Sequence, residues 1–348
     1  MRRPLFRRQS LLSAGLVAGA LCAAVAAQTG QYSKIGEIQI GGTVTQFDYL
    51  NVDSAAKRLY VTNRTSVVVI DLATNKVLGR LPGGNNVHGI AIAPGDRGFI
   101  SNGANNNVNI VNLKTMALIG TVETGVNPDA ILYEPKNKEV YALNHTGASA
   151  TVIDAATGKV TATIPLSGTA ETGQADPGLG RVFVNIEDKN LVDVIDVATH
   201  KLIASWPVAP ASSPTGMAID LATHRLFVGG GPNTVMMDAT SGKIVASMPI
   251  VSGTDATWYD PGTKMVFSSG SGGNGQITAG RVDGDKLTVV QTISTLRGAR
   301  TMTLDPATHN LYVVGQKYVP ADPSAPAGGR GGPAIADSFH VAIFGMGK

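Results

Sequence analysis

The hydrophobic positions of this chain repeat over two distances. Short runs of strand-forming residues, such as Leu59 to Asn63, recur between turns and predict β-strands. Over longer distances the pattern returns every 39 to 45 residues, marked by an aromatic residue within a strand signal. These seven aromatic residues are Tyr60, Phe99, Tyr141, Phe183, Phe227, Phe267 and Tyr312. A repeat of this length, with several strands in each unit, is typical of a β-propeller.

Each unit carries four strand signals, which in the second unit are residues 88–93, 98–101, 107–112 and 117–123. Asp71, Asp154, Asp196 and Asp238 begin similar turns after a third strand. Asp and Thr side chains there can accept hydrogen bonds from nearby backbone amides, so these residues are interpreted as turn formers. Three histidines in comparable turns, His200, His224 and His309, are interpreted as plain surface residues.

The two ends of the repeat complete each other. The last unit supplies only three strand signals, the third at residues 340–344, whereas residues 34–41 resemble the fourth strand of a unit. We therefore predict an all-β fold: a seven-bladed β-propeller of four-stranded antiparallel blades, closed by the N-terminal strand pairing in the last blade. Residues 28–348 would form this single domain. A Pro-, Gly- and Ala-rich insertion at 316–337 is predicted to be flexible, either a lid over the channel or an inert insertion.

Residues 1–27 have the pattern of a cleaved signal peptide. Four arginines precede a 17-residue apolar run that ends in small residues, and about 20 residues would be needed to span a membrane. The pair Arg7-Arg8 resembles a twin-arginine export signal, and the general export route stays open. Both routes predict a periplasmic or secreted protein without a membrane span after cleavage.

Charge and cysteine content limit the functions that are compatible with the chain. The chain has 28 Lys and Arg against 25 Asp and Glu; without the four leader arginines, 24 basic residues face 25 acidic ones, a net charge of −1. A near-neutral domain lacks the basic surface of a nucleic-acid-binding protein, so we expect no nucleic-acid partner. Because Cys22, the only cysteine, lies in the leader, the mature chain has no disulfide and no thiol nucleophile.

A resemblance to a known family rests on four segments: Leu59-Tyr60-Val61-Thr62-Asn63, Val69-Ile70-Asp71, Pro128-Asp129-Ala130 and Pro214-Thr215-Gly216. Together they resemble the repeat of the YVTN-type seven-bladed β-propeller family of exported bacterial proteins, over residues 33–348. The resemblance implies the fold. Proteins similar to these serve as binding modules, surface proteins and enzyme subunits, so no single activity follows.

The units differ at the residue that opens the innermost strand and would border the central channel. At this position the chain has Asp48, His88, Asp129, Glu171, Thr215, Asp255 and Arg300. We predict that these seven residues form a ligand-binding ring at the channel mouth. Asp255 and Arg300 belong to neighbouring units and can pair, which leaves the other acidic members without a permanent positive charge.

The remaining polar set suits a divalent cation. Three carboxylates and one imidazole make Asp48, His88, Asp129 and Glu171 candidate ligands for Ca²⁺, Mn²⁺ or Zn²⁺. Two alternatives stay open at this stage: a metal-free site for a cationic ligand, and a water-filled channel in which the same groups are solvated.

The leading functional interpretation is an exported binding or scaffold protein whose channel-mouth face binds a small ligand, a divalent ion or a protein partner. The alternative is a metal-dependent hydrolase similar to the lactonase-type propellers, in which Glu171 or Asp129 would act as the base and His88 as a ligand or proton shuttle. A second alternative, single-stranded DNA binding, is opposed by the net charge and by an aromatic content of 5%. The sequence predicts no oligomeric state.

Overall fold

The structure is a computed structural model that describes Met1 and residues 30–42, 47–319 and 334–347. The predicted signal peptide after Met1 and residues 320–333 of the predicted insertion lie outside these described residues. At the base of the insertion Tyr318 pairs with Ala334 in an isolated antiparallel bridge. Within the described part of the chain, no helix has both the length and the apolar character needed to cross a membrane.

The described strands form seven antiparallel sheets of four strands each. β1 (Tyr32–Gln39) belongs to the last sheet. Blades 1 to 3 consist of β2 (Leu50–Asp53), β3 (Arg58–Asn63), β4 (Ser66–Asp71) and β5 (Lys76–Pro82); β6 (Val87–Ala93), β7 (Arg97–Asn102), β8 (Asn107–Asn112) and β9 (Leu118–Glu123); and β10 (Pro128–Glu134), β11 (Glu139–Asn144), β12 (Ser149–Asp154) and β13 (Val160–Pro165).

Blades 4 to 6 consist of β14 (Ala170–Asp176), β15 (Arg181–Ile186), β16 (Leu191–Asp196) and β17 (Lys201–Pro207); β18 (Pro214–Asp220), β19 (Arg225–Gly230), β20 (Asn233–Asp238) and β21 (Ile244–Pro249); and β22 (Thr254–Asp260), β23 (Met265–Gly270), β24 (Gln276–Asp283) and β25 (Lys286–Ser294). Blade 7 consists of β26 (Met302–Asp305), β27 (Asn310–Gly315), β28 (His340–Met346) and β1. In the described part of the chain, three short 3-10 helices follow second strands: Gly103–Asn105, Glu187–Lys189 and Gly272–Asn274. The predicted all-β, seven-bladed fold is confirmed.

The blades form a ring with their first strands innermost, because the first strands of neighbouring blades contact one another in sequence. Middle strands such as β3 and β4 are buried at four consecutive positions, whereas the outer strand β5 is largely exposed. Successive side chains in a strand point to opposite faces, so four buried neighbours in a row require cover on both faces. Each blade therefore packs between two others.

The repeated aromatic residue explains this packing. Tyr60 packs with Ile90 and Ile100 of the following blade, and Phe99 packs with Val140 and Ala142 of the next. All seven aligned aromatics lie in second strands and in the hydrophobic clusters shared with the following blade. The repeated aromatic residue thus marks the interface between two blades, and its side chain is buried only when the neighbouring blade is present.

The last blade closes the ring as predicted. β1 pairs antiparallel with β28, from Tyr32 opposite Met346 to Gln39 opposite His340. Ile38 of this strand lies in the core between blades 7 and 1, together with Tyr312 and Leu59. The N-terminal strand therefore joins the two ends of the described chain through both hydrogen bonds and core packing.

The turns behave as predicted at their aspartates, but not at their histidines. Asp71, Asp154, Asp196 and Asp238 accept hydrogen bonds from backbone amides two or three residues on. Each turn histidine instead pairs with a carboxylate of the preceding blade: His200 Nε2 lies 2.8 Å from Glu139 Oε2, His224 Nδ1 2.6 Å from Asp176 Oδ2, and His309 Nδ1 2.8 Å from Asp260 Oδ2. Because those partners lie 48 to 61 residues away, a local sequence pattern does not reveal them.

Candidate functional site

The predicted ring residues lie at one mouth of the central channel, where the first strands begin. In five blades the pairing of the first strand with the second is irregular at this point: between Val87 and Ile90, Pro128 and Ile131, Ala170 and Gly173, Pro214 and Gly216, and Thr254 and Thr257. Such bulges redirect side chains and occur often next to functional sites. Here they include His88, Asp129, Glu171, Thr215 and Asp255.

The backbone of the ring is held in place by the preceding blade. The Tyr49 amide donates a hydrogen bond to the His88 carbonyl at 3.0 Å, and Ser101 Oγ donates to the Asp129 carbonyl at 2.5 Å. Ser269 Oγ donates in the same way to the Arg300 carbonyl. These bonds satisfy carbonyls that lie outside the regular strand pairing and so fix the backbone at these ring positions.

Asp48, His88 and Asp129 form the first half of the site. His88 Nδ1 lies 2.6 Å from Asp48 Oδ2 and 3.4 Å from Asp129 Oδ1, while His88 Nε2 lies 2.7 Å from Asn86 Nδ2. If Asn86 donates to Nε2, the imidazole proton is on Nδ1 and faces the two carboxylates. A single proton serves only one of them well. Asp129 Oδ1 accordingly has no hydrogen-bond partner among the described residues, although Asp129 is only 9% exposed.

Glu171 and a residue outside the predicted ring, His145, form the second half. His145 Nδ1 lies 3.1 Å from Glu171 Oε1 and 3.0 Å from the Ala170 carbonyl oxygen. The hydroxyl of Tyr49 donates to Glu171 Oε2 at 3.1 Å, which joins blade 1 to blade 4 across the channel. We refer to Asp48, His88, Asp129, His145 and Glu171 as the mouth cluster.

The mouth cluster contains two groups of possible metal ligands. Asp48, His88 and Asp129 each offer a ligand atom within 4.8 Å of the other two, and so do Asp129, His145 and Glu171. Asp129 belongs to both groups. Acidic and imidazole side chains therefore alternate from Asp48 to Glu171.

The remaining ring residues have other partners. Arg300 Nε lies 3.2 Å from Asp255 Oδ2, the pairing expected from their adjacent blades. Thr215 Oγ1 donates to the Thr254 carbonyl at 2.7 Å, so its hydroxyl supports the neighbouring backbone. The structure thus brings together Asp48, His88, Asp129 and Glu171, pairs Asp255 with Arg300, and uses Thr215 within the scaffold. Asp255 Oδ2 is also buried without a hydrogen-bond partner among the described residues, and burial together with the charges of Asp48 and Glu171 raises the Asp255 pKa.

The electrostatics of the mouth cluster favour bound protons. Burial is the largest cause that raises the pKa of Asp129, and the negative charge of Asp48 adds to it. Burial opposes protonation of His88, but its hydrogen bond with Asp48 and the charge of Asp129 outweigh burial and raise the His88 pKa. The hydrogen bond with Glu171 raises the pKa of His145 to about 9. The cluster therefore retains protons near neutral pH when no cation is bound.

A cavity of about 480 Å³ occupies the channel below the mouth. The first strands of the blades line it, and Tyr49 lies at its boundary with the mouth cluster. Burial, followed by the charges of Glu171 and Asp129, raises the pKa of the Tyr49 phenol well above its usual value, so the hydroxyl stays protonated and donates to Glu171.

Three residues at the mouth were missing from the predicted ring: Tyr49, His145 and Glu187. Tyr49 directly follows Asp48, and its size alone does not show that it crosses the channel. His145 and Glu187 are more accessible to sequence reasoning, because each directly follows the second strand of its blade. An alignment of that position across the units places a histidine and a glutamate in adjacent blades, which is the signal that would have found them.

Comparisons with known proteins identify the fold. No protein-family model matches the chain, and no curated protein matches it. A solved chain titled "Kuenenia stuttgartiensis Hydrazine Synthase" is 17% identical with a TM-score of 0.68, and the match covers 80% of this chain and 96% of that chain. The WD40 repeats of RRP9 are 10% identical with a TM-score of 0.71, covering 89% and 97% of the two chains.

A chain of the mitotic checkpoint complex is 14% identical with a TM-score of 0.73, covering 97% of this chain and 98% of that chain. At identities this low, structural likeness establishes architecture and leaves activity open. The resemblance to the YVTN-type repeat stays a prediction, because no family model matches. The chain is a seven-bladed β-propeller.

Proposed function

We propose that this protein is an exported binding protein whose channel mouth binds a divalent cation through Asp48, His88 and Asp129. The observation that carries the proposal is the Asp129 Oδ1 atom, which is buried beside Asp48 and His88 without a hydrogen-bond partner among the described residues. Export rests on the signal-peptide pattern of residues 1–27. A propeller scaffold is consistent with a binding role.

A cation would satisfy this carboxylate. Leaving a buried polar group without a partner costs about 1–3 kcal/mol, and more for a charged group. Ligand atoms that bind one ion at about 2.0–2.5 Å lie within roughly 4–5 Å of one another. The atoms offered by Asp48, His88 and Asp129 already meet this condition, at 4.8 Å or less. A set of two carboxylates and an imidazole favours Mn²⁺ or Zn²⁺ over Ca²⁺, which prefers oxygen ligands.

The geometry supports binding more than hydrolysis. A hydrolase needs a free base beside the ion, yet Asp129 and His88 are themselves the proposed ligands, and Glu171 is paired with His145 and Tyr49. Single-stranded DNA is a poor fit, because the acidic mouth would repel phosphate groups. A small molecule or a protein partner with its own ligand atom fits better, since it would complete the coordination of an ion at the mouth.

The first prediction tests cation binding directly. Mature protein treated with a chelator is titrated with MnCl₂ and, separately, ZnCl₂ by isothermal calorimetry. We expect saturable binding that weakens at least about tenfold in Asp48→Asn and in His88→Ala, because each variant removes one of three ligands. Asp285→Asn serves as the control, since Asp285 is an exposed carboxylate in the turn between β24 and β25 and pairs with Arg225. Binding that is absent from the wild type, or unchanged in both mouth variants, would contradict the proposal.

The second prediction concerns pH. The pKa values of Asp129, His88 and His145 are raised, so the cation must displace protons from the groups that it binds. We expect affinity for Mn²⁺ to increase as pH rises from 6 toward 9. Calorimetry in two buffers of different ionisation enthalpy would measure the protons released per ion. An affinity that does not change over this range would show that the ion binds elsewhere.

A further inference from the structure

We infer that the channel mouth binds two divalent cations, with Asp129 bridging them and with the second ion between His145 and Glu171. This inference rests on the proposed function and adds a second site to it. Each ion would then have one imidazole, one carboxylate of its own and one oxygen from the shared Asp129. His145 was not among the ligands that the sequence predicted.

The geometry of the two ligand groups is the first argument. Asp129, His145 and Glu171 bring their ligand atoms within 4.8 Å of one another, as closely as Asp48, His88 and Asp129 do. One residue common to two such groups places the two positions side by side. Carboxylates commonly bridge paired metal ions that are about 3.5–4 Å apart. Asp129 Oδ1, which has no hydrogen-bond partner among the described residues, lies 3.4 Å from His88 Nδ1 in the first half of the site.

In the second half of the site, hydrogen bonds hold the side chains of Glu171 and His145 in fixed orientations. Tyr49 donates to Glu171 Oε2, while Glu171 Oε1 faces His145. His145 Nδ1 donates to the Ala170 carbonyl, which fixes the imidazole and leaves Nε2 as the nitrogen that can bind an ion. Hydrogen bonds from groups behind the ligands are typical of built metal sites, because they fix ligand orientation. Tyr49 thus acts here as a positioning residue.

Charge is the third argument. Glu187 directly follows the second strand of blade 4 and lies near Glu171. Among the described residues, Arg300 pairs with Asp255 and its charge also acts on Asp48 and Glu171, so one guanidinium serves a set of five carboxylates: Asp48, Asp129, Glu171, Glu187 and Asp255. Fully ionised, these five carboxylates and the one guanidinium carry a net charge of 1 − 5 = −4, which two divalent ions balance, whereas one ion leaves part of it to the protons that the cluster otherwise retains. A pair of ions therefore suits this charge better than one.

The test counts ions in matched variants. Chelator-treated protein is titrated with MnCl₂ by calorimetry, and bound manganese is measured by elemental analysis after gel filtration. We expect two ions per wild-type chain, one in His145→Ala, one in Asp48→Asn, and none retained in Asp129→Asn. His200→Ala is the matched control, because His200 also pairs with a carboxylate, Glu139, but lies in a turn and belongs to neither group of possible metal ligands. It should keep two ions.

Electron paramagnetic resonance gives an independent readout. Two Mn²⁺ ions bridged by a carboxylate should give an exchange-coupled spectrum in the wild type, and His145→Ala should give the spectrum of an isolated ion. Should His145→Ala fail to fold by circular dichroism, His145→Gln replaces it. One ion in the wild type, lost in Asp48→Asn and kept in His145→Ala, would overturn the second site and leave the proposed function standing. No bound ion in the wild type would overturn both.

Discussion

Replacing Ile38 with alanine is expected to lower the free energy of unfolding by about 2–5 kcal/mol, because it leaves a cavity in the core that closes the ring. Ile38 is 1% exposed and packs at the interface between blades 7 and 1 with Leu59 and Tyr312. Its strand, β1, covers the edge of β28. Weakened pairing there exposes a strand edge, so we also expect aggregation to begin at lower temperature in the variant.

The matched control is Ile35→Ala in the same strand. Ile35 is 52% exposed, and substitutions at such positions change stability by at most about 0.5 kcal/mol. Urea unfolding followed by circular dichroism measures both variants. Equal losses in the two variants, or no loss at Ile38, would show that β1 does not contribute to the closed ring in solution.

Asp129→Asn is expected to stabilise the metal-free protein while it removes cation binding. Burial and the charge of Asp48 raise the pKa of Asp129 in the folded state above its unfolded value of about 3.9. The folded state therefore binds more protons than the unfolded state, and stability falls as pH rises from about 4 toward the folded pKa. Asparagine does not titrate and avoids this loss.

The gain from Asp129→Asn should therefore be small near pH 4 and reach about 1–3 kcal/mol at pH 8, the cost of a buried polar group without a partner. Thermal unfolding in the presence of a chelator at several pH values measures it, at roughly 2–4 °C for each kcal/mol. His145 adds to the same trend in the wild type, because its pKa of about 9 means that its contribution is lost between pH 6.5 and 9.

Asp188→Asn is expected to change the stability of the metal-free protein in the opposite direction. The hydrogen bond with Lys189 is the largest cause that lowers the pKa of this exposed carboxylate, so its removal should slightly destabilise the protein at neutral pH. With saturating Mn²⁺, the wild type should become more stable than Asp129→Asn. An ion at a hundred times its dissociation constant stabilises the wild type by about 2.7 kcal/mol, and Asp129→Asn gains none of this stabilisation. A loss of stability in Asp129→Asn without metal would refute the description of Asp129 as a buried carboxylate lacking a partner.

Local spacing was sufficient for most of the fold. The aromatic positions from Tyr60 to Tyr312 recur because every interface between blades needs one large side chain at the same place, and the structure puts each of them there. The same spacing located the residues that open the first strands, and Asp48, His88 and Asp129 do lie together at the mouth. It did not reveal that Thr215 serves the scaffold through the Thr254 carbonyl, because that contact joins two blades.

By itself, the sequence determined the number of blades, the closure of the ring by β1 and the ring of polar residues at the channel mouth, because these depend on local hydrophobic pattern and on period. Only the tertiary structure decided which polar groups meet. His145 reaches Glu171, Tyr49 crosses the channel to the same carboxylate, and Asp129 keeps an oxygen without a hydrogen bond, all through contacts between loops and bulges. A repeat sets where each blade begins, while the direction of each side chain at that point depends on contacts with residues 25 to 122 positions away in the chain.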